Sequence, residues 1–524
     1  MELIWIWDLV GRVGRVLATS LTYVVTIASL ALSTIAVYRI AFHPLSGIPG
    51  PKLAALSNVW YAYQVRNGRA AILGKTLHRK YGPVVRVGPN EVWFDSKEAF
   101  DVIYGTSGKG LEKSDFYLAT SLSKPQFDRL LNPTFPDTLD LLSERDVKRY
   151  RVQRRLIGPT YKAANVAKYG SSVDKTLDRI IERLDMLKGQ KIDLKEWMHI
   201  TAVECLGASV LSWSPGMLKA GTDWSSSKHS YMGWRRKSVF GLFPPMSKMD
   251  MWSSTLGRRF GNLWGVTFPT PKNFRAFFPD VARKVKTRCK SALSAHPTKD
   301  VRNDLLADLI LLHQERPEFT AQYLTKMAMT NFGAGHETMA STLTSVLCAL
   351  GSNKSIQQQV RNEIAQAAKP IDLSDQTQLQ LTRAVIKETM RLRPVIAMGL
   401  PREAASDLVI GGCWIPRGTT VGCNPIALHR NEAICGSAPD DFQPQRWLDD
   451  AERLKSMERY NLSWGGGSRS CPGRHLAELI VLRVVVALVK SFEIDVTIPP
   501  EEEMPSYFLS MMTGVSATLL SLAD

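Results

Sequence analysis

The chain has no pair of cysteines at metal-ligand spacing. Its seven cysteines stand at 205, 289, 348, 413, 423, 435 and 471, without a C-x-x-C among them. An odd, dispersed set argues against a disulfide framework and against a structural zinc site. The thiols are expected to be reduced, as in a protein facing the cytosol, and most of them to be small buried hydrophobes. Internal repeats, low-complexity tracts and Gly/Ser-rich linkers are also missing. The length of 524 residues would admit two to four domains, but with nothing to divide it the chain reads as one large domain behind a short anchor.

Acidic residues are in deficit, 49 against 66 basic ones, for a formal charge of +17. Such an excess suits nucleic acid, an anionic membrane or an acidic protein partner. The two densest runs are Lys148, Arg149, Arg151, Arg154 and Arg155, and Arg283, Lys284, Lys286, Arg288 and Lys290. Neither fits a nucleic-acid module and neither is interleaved with stacking aromatics, so no nucleic-acid partner is expected. A solvated helix face is the competing reading of each run.

With 44% hydrophobic and 22% charged residues, the chain can bury a large core. Residues 1–15 form a short N-terminal segment. Residues 16–38 carry no charge and lie between Arg15 and Arg39; as a helix they would reach about 35 Å, enough for a hydrocarbon core of about 30 Å. A transmembrane anchor is expected, single-pass. Charge does not set its orientation, because Arg12 and Arg15 balance Arg39 and Lys52. Residues 39–57 contain His43-Pro44-Leu45 and Ile48-Pro49-Gly50-Pro51-Lys52-Leu53. Proline fixes φ and removes a donor, so this stretch is expected to be non-helical, a stiff connector and hinge. The remaining domain is 58–524.

Within it, 320–351 reads as a long apolar helix interrupted by Gly333 and Gly335. Each glycine costs about 1 kcal/mol relative to alanine, which suggests close backbone approach to something. Residues 382–391 are helical in pattern and end before Arg393-Pro394. Residues 408–410, 413–415 and 419–423, split by Gly411-Gly412 and Pro416-Arg417-Gly418, read as a small sheet. Residues 476–489 are apolar nearly all round, hence a buried helix. The fold class is mainly α with a minor β region (α+β).

The segment richest in chemistry is Trp464-Gly465-Gly466-Gly467-Ser468-Arg469-Ser470-Cys471-Pro472-Gly473, which leads into that helix. A thiolate metal ligand must lose its proton, and a helix N-terminus lowers a cysteine pKa. Glycines let backbone approach a flat macrocycle. An arginine two residues before the cysteine can pair with a carboxylate.

This segment resembles the haem-binding signature of cytochromes P-450, F-x-x-G-x-R-x-C-x-G. Gly467, Arg469, Cys471 and Gly473 are in register and Trp464 takes the aromatic place. The change from Phe could alter how the ring shields the sulfur. Further elements follow in the family's order. Glu388 and Arg391, at i and i+3, with Arg446 in Phe442-Gln443-Pro444-Gln445-Arg446-Trp447, resemble the E-x-x-R and P-E-R-F pair, a structural triad behind the haem. Gln445 and Trp447 depart from the commonest residues. Ala334-Gly335-His336-Glu337-Thr338 resembles the oxygen-activation motif, which implies Thr338 as its hydroxyl, Glu337 as proton relay and Gly335 beside the cofactor; by itself, a helical Thr commonly bonds its own i−4 carbonyl. Met339 follows where many members carry Thr or Ser. Arg402 resembles a propionate-binding arginine, and Tyr150 and Arg154 resemble the W-x-x-x-R contact to the other propionate. His429 reads as a structural histidine.

The resemblance spans about residues 40–515. It implies the P-450 fold, haem b with Cys471 as axial ligand of its iron, and insertion of one oxygen atom from O₂ into an apolar molecule. No flavin or nucleotide motif is present, so electrons would come from NADPH through NADPH–cytochrome P-450 reductase, with cytochrome b5 as a further partner. The anchor and proline motifs look like those of microsomal enzymes of filamentous fungi. That implies the endoplasmic reticulum, a catalytic domain facing the cytosol, and work on terpenoids, polyketides or alkaloids, or degradation of aromatic compounds. Residues 395–398 and 507–512 are candidate substrate contacts and 111–139 a candidate lid. The rival readings are a haem-thiolate isomerase or dehydratase acting on a hydroperoxide, against which Glu337-Thr338 argues, and a non-catalytic haem- or ligand-binding membrane protein.

Overall fold

The computed structural model describes residues 2–105, 111–121, 125–130, 132–134, 140–293, 302–367, 375 and 377–522. Of the candidate lid, residues 122–124, 131 and 135–139 lie outside the described residues. The helices that carry the architecture are α1 (Glu2–Val37), α2 (Val147–Ile157), α3 (Leu194–Leu211), α4 (Ser226–Gly241), α5 (Phe278–Ala292), α6 (Ala321–Ser352), α7 (Gln380–Leu392) and α8 (Arg474–Ser491). Side-chain caps start several of them. Asp146 Oδ1 accepts from Arg149 N (2.7 Å) at α2, Asp193 Oδ1 from Glu196 N (3.0 Å) at α3, and Thr320 Oγ1 from Tyr323 N (3.3 Å) at α6.

The central column is α6. It packs against α3, α5, α7 and α8. Phe332, Ala340, Leu343, Val346, Leu347 and Leu350 of α6 and Ile480, Val484, Val485, Leu488 and Val489 of α8 are wholly buried. Two glycines do not break α6, which runs as continuous helix through Gly333 and Gly335. The packing of its neighbours outweighs the propensity loss, and Gly335 serves that packing: a Cβ there would meet Leu206 of α3 at 3.2 and 3.4 Å.

The strands are β1 (Val84–Gly88), β2 (Glu91–Phe94), β3 (Glu112–Lys113), β4 (Ile192–Asp193), β5 (Arg402–Glu403), β6 (Leu408–Ile410), β7 (Cys413–Ile415), β8 (Thr420–Cys423), β9 (Phe492–Thr497) and β10 (Ser516–Ser521). One sheet has the order β1-β2-β8-β5-β3 and another β9-β10-β4, while β6 and β7 pair only with each other. The small sheet expected over 408–423 is therefore divided. Its last strand leaves the hairpin at the Gly418 turn (φ +82°) and pairs parallel to β2, Val421 opposite Val92 and Cys423 opposite Phe94. That partner lies more than 300 residues back, and together they bury Val85, Val87, Val92, Phe94, Val421 and Cys423 completely.

The N-terminal helix is long and apolar enough to cross a membrane. Within residues 11–42 an 18-residue stretch has a mean hydropathy of 1.8, and none of that stretch is buried against the domain. Helix α1 passes through a π-helical turn, Tyr38–Phe42, into the connector. The connector departs from the expected hinge. It contains the short helix Lys52–Leu56, capped by Pro51, and it is fastened to the domain. Leu45 is wholly buried. Arg86 donates from Nη1 to Arg39 O (2.9 Å) and from its backbone N to Pro49 O (2.8 Å). Proline at a helix start leaves unmade only a bond that is absent there anyway, which is why Lys52–Leu56 can be helical.

Candidate active site

The glycine-rich loop closes on itself ahead of α8, with Cys471 N donating to Trp464 O at 2.6 Å. Its tight course lies against Tyr104. Gly467 has φ +57°, and a Cβ there would stand 1.7 Å from Tyr104 O, so no other residue fits. A Cβ on Gly473 would meet no protein atom within 4 Å. The expectation for the Cys471 pKa needs correction. Burial, the largest effect, holds the thiol above its ordinary value; the Gly473 N–H and the charge of Arg154 favour the thiolate but do not win. A metal ion bound at sulfur would supply the missing positive charge and remove the proton outright.

Beside this loop, cations gather without ion-pairing to a carboxylate among the described residues. Arg469 donates to Glu144 O (2.7 Å) and Arg145 O (3.0 Å), and its guanidinium lies 4.4 Å from the centre of the Tyr150 ring. Arg402, 4% exposed, donates to Pro401 O (3.1 Å) and Tyr117 Oη (3.3 Å). Lys113, 5% exposed, donates to Leu141 O (2.8 Å) and Leu142 O (2.6 Å), with its ammonium 4.9 Å from the Tyr117 ring. Burial, and then the charges of Arg402 and Arg469, hold Lys113 well below the usual lysine range. Arg154 of α2 has a buried Nη1 with no hydrogen-bond partner. Among the described residues none of these four cations forms an ion pair. Four positive charges packed in low dielectric call for an anion with several acceptor oxygens. Sequence reading had found Arg469, Arg402, Arg154 and Tyr150; Lys113, a single lysine on a two-residue strand, had no local signal.

A cavity of about 1250 Å³ is lined both by Trp464, Gly465, Gly467 and Ser470 of the loop and by Thr342 of α6, one turn beyond Thr338. Thr338 is partly exposed, and its Oγ1 donates to Ala334 O at 2.7 Å. Glu337 is 2% exposed, and neither carboxylate oxygen has a hydrogen-bond partner. His336 Nδ1 stands 3.7 Å and His199 Nε2 3.9 Å from its Oε1. The two histidines are 2.9 Å apart, and His199 Nδ1 lies 2.9 Å from Asp223 Oδ2. Burial raises the pKa of Glu337 against the lowering charges of Lys195 and His199. Burial and the charge of His199 push His336 well below the usual histidine range. His199, Asp223 and Lys195 were not legible beforehand, since α3 and the segment before α4 bring them to α6 only in the folded chain.

Glu388, Arg391 and Arg446 meet in the interior. Glu388 Oε2 accepts from Arg391 Nε (2.8 Å) and Trp447 Nε1 (2.9 Å); Oε1 accepts from Arg391 Nη2 (2.9 Å), Arg446 Nε (2.9 Å) and Gln443 N (3.0 Å). Tryptophan at 447 thus adds a donor that phenylalanine lacks. The remaining guanidinium hydrogens go to backbone carbonyls, Arg391 to those of His429, Pro439 and Asp441, and Arg446 to those of Cys435 and Ala438. His429 is a satisfied core histidine: its Nε2 accepts from Leu462 N (2.8 Å) and Nδ1 faces Arg391 O (3.2 Å).

A family model, that of cytochrome P450, matches residues 49–517. The chain belongs to the cytochrome P450 family. It is 51% identical to cytochrome P450 monooxygenase sdnT of Sordaria araneosa over 97% of each chain. It is also similar to cytochrome P450 monooxygenase cicH of Emericella nidulans, at 30% identity over 87% of this chain and 90% of that one. Pisatin demethylase of Fusarium vanettenii is 28% identical, over 88% and 85%. The P450 is a haem-thiolate monooxygenase, and a small-molecule substrate and a redox partner go with that class.

The residues present fit a haem. Cys471 offers a soft sulfur at the end of an apolar helix, and the orphaned Arg154 Nη1 with Arg402, Arg469 and Lys113 suits its two propionates. The apolar stretches singled out beforehand as substrate contacts turn out to pair with each other in the P450: Ala397 N donates to Phe508 O (3.0 Å) and Ser510 N to Val395 O (2.7 Å).

Proposed function

We propose that this P450 inserts one oxygen atom from O₂ into an apolar metabolite in fungal secondary metabolism, at the endoplasmic reticulum membrane with the catalytic domain in the cytosol. The observation that carries the assignment of the site is the union of Cys471 with four cations that, among the described residues, form no ion pair. When bound, the haem supplies reductive activation of O₂ and transfer of one oxygen to substrate. Cys471 would hold it by the iron. Arg402, Arg469, Arg154 and Lys113 would hold its propionates, with Tyr150 stacked beneath Arg469.

The Thr338 hydroxyl spends its hydrogen on Ala334 O, which leaves its lone pairs to accept a hydrogen bond and steady a proton donor. Glu337, raised in pKa by burial, is the group that would pass protons, and the chain Asp223, His199, His336 adjoins it. Glu388, Arg391 and Arg446 keep the loop's support rigid. Likeness to the relatives named sdnT and cicH, together with the apolar N-terminal helix, supports the setting. Electrons would come from NADPH through a cytochrome P450 reductase, with cytochrome b5 as a second donor. The cavity on the thiolate side presents Arg383, Lys387, Arg459, Arg474 and Arg483 against Asp101, Glu458 and Glu478, a net positive rim suited to an acidic partner.

The test is the difference spectrum of the dithionite-reduced protein with and without carbon monoxide. A strongly red-shifted Soret band, lost in Cys471→Ala, is expected. Retention of that band in the variant would refute the ligand, and absence of haem from the wild-type protein would refute the enzyme reading.

A further inference from the structure

Lys237 on α4 is a charge that neither the fold nor the proposed chemistry employs. Its ammonium lies over the Trp234 ring, 4.6 Å from the centroid, with the two residues at i and i+3 on one helix face. Trp234 in turn stacks on Phe508 (5.5 Å, 23°), and Phe508 packs on Phe116 (5.3 Å).

Hydrogen bonds tie this wall to elements that carry the site. Phe508 N donates to Ser238 Oγ (2.9 Å), next to Lys237 in sequence. Two residues past Phe508, Ser510 O accepts from Ser341 Oγ (2.7 Å), three residues past Thr338. Tyr117, next to Phe116, touches Arg402 of the cradle. Lys237 is near enough to His336, beside Glu337, to lower its basicity.

The ammonium has no counter-ion. Among the described residues, no carboxylate lies within ion-pair distance of it, and Asp140 acts on it only through its field. Arg288, by contrast, has its anion in the fold: 6% exposed, it meets Asp304 at 2.8 and 3.0 Å. Lys237 is partly buried, and an aromatic face repays only part of the hydration its ammonium gives up there. That leaves the ammonium open to an anionic group brought by a ligand.

We propose that Lys237 anchors the substrate, and that the substrate is an apolar skeleton bearing a carboxylate, held with its hydrocarbon body against Phe116, Trp234 and Phe508. This rests on the monooxygenase reading and adds to it a substrate class and a specificity residue.

The experiment uses the full-length, haem-loaded protein and follows the spin-state shift of the haem. The probes are two acids and their methyl esters: abietic acid with methyl abietate, and dodecanoic acid with methyl dodecanoate. At least one acid is expected to bind tenfold or more tighter than its ester. Lys237→Met should lose that preference, weakening the acid at least tenfold and the ester less than twofold, with an unchanged carbon monoxide spectrum; Lys237→Arg should keep most of it. Equal binding of acids and esters would overturn the anchor. So would equal losses for both in Lys237→Met, loss of haem from that variant, or failure of every acid while clotrimazole still binds. Absence of the thiolate-type spectrum from the wild-type protein would instead remove the monooxygenase reading beneath it.

Discussion

Replacing Glu388 with Gln tests whether the buried triad is the keystone of the thiolate-side support. The substitution is nearly isosteric, so it changes charge and acceptor capacity and little else. An amide keeps one acceptor oxygen and presents an NH₂ where the other stood. In its better orientation the NH₂ replaces Oε2 and confronts Arg391 Nε and Trp447 Nε1. In either orientation two guanidiniums, 2% and 4% exposed, lose the only carboxylate that pairs with them among the described residues. Breaking a buried pair in this way costs about 3–5 kcal/mol, a rise of roughly 150- to 5,000-fold in the unfolded-to-folded ratio. In urea, followed by tryptophan fluorescence and by the Soret band, the midpoint should fall by about 1–1.7 M for a slope of about 3 kcal/mol per M. Glu478→Gln, which removes an exposed partner of Arg474 on α8, should shift stability by under about 1 kcal/mol. Equal midpoints for wild type and Glu388→Gln would refute the reasoning, because two uncompensated guanidiniums cannot be buried without loss.

Thr338→Ala should leave α6 intact, alanine being the better helix former, while product per NADPH falls by about tenfold or more and peroxide rises; unchanged coupling would remove Thr338 from the proton path. Gly467→Ala must move either the loop or Tyr104, since its Cβ would stand 1.7 Å from a carbonyl oxygen. The haem content per chain, measured as the pyridine haemochrome, should drop sharply, and full occupancy would contradict the proposed loop course. His429 is lowered to about 3 by burial and the charge of Arg391. Between pH 6.5 and 3 the unfolded chain therefore binds a proton that the folded one refuses, and stability should fall as pH falls through that window. In His429→Gln that part of the pH dependence should flatten; an identical slope would show that other groups cause it.

How much could be read in advance depended on distance along the chain. The ten residues from Trp464 to Gly473 hold a ligand, its turn-forming glycines and an arginine, and a local arrangement of that kind is written in spacing alone. The anchor was legible from length and hydropathy, and α6, α7 and α8 from periodicity and from Pro394. What burial and long-range pairing decide was not legible. Nothing near Lys113 in sequence announces that it joins Arg402 and Arg469, and nothing near His199 announces Glu337. The strand after Gly418 was visible as a strand, but its partner at Glu91–Phe94 was not. The helix N-terminus behind Cys471 suggested a lowered pKa, whereas burial in the folded chain pushes the thiol the other way. The connector's prolines suggested a hinge, until the burial of Leu45 and the reach of Arg86 tied it down. The sequence by itself determined which side chains carry chemistry and in what order they come. The tertiary structure alone decided which charges face one another without water, because desolvation depends on everything packed around a group rather than on its neighbours in the chain.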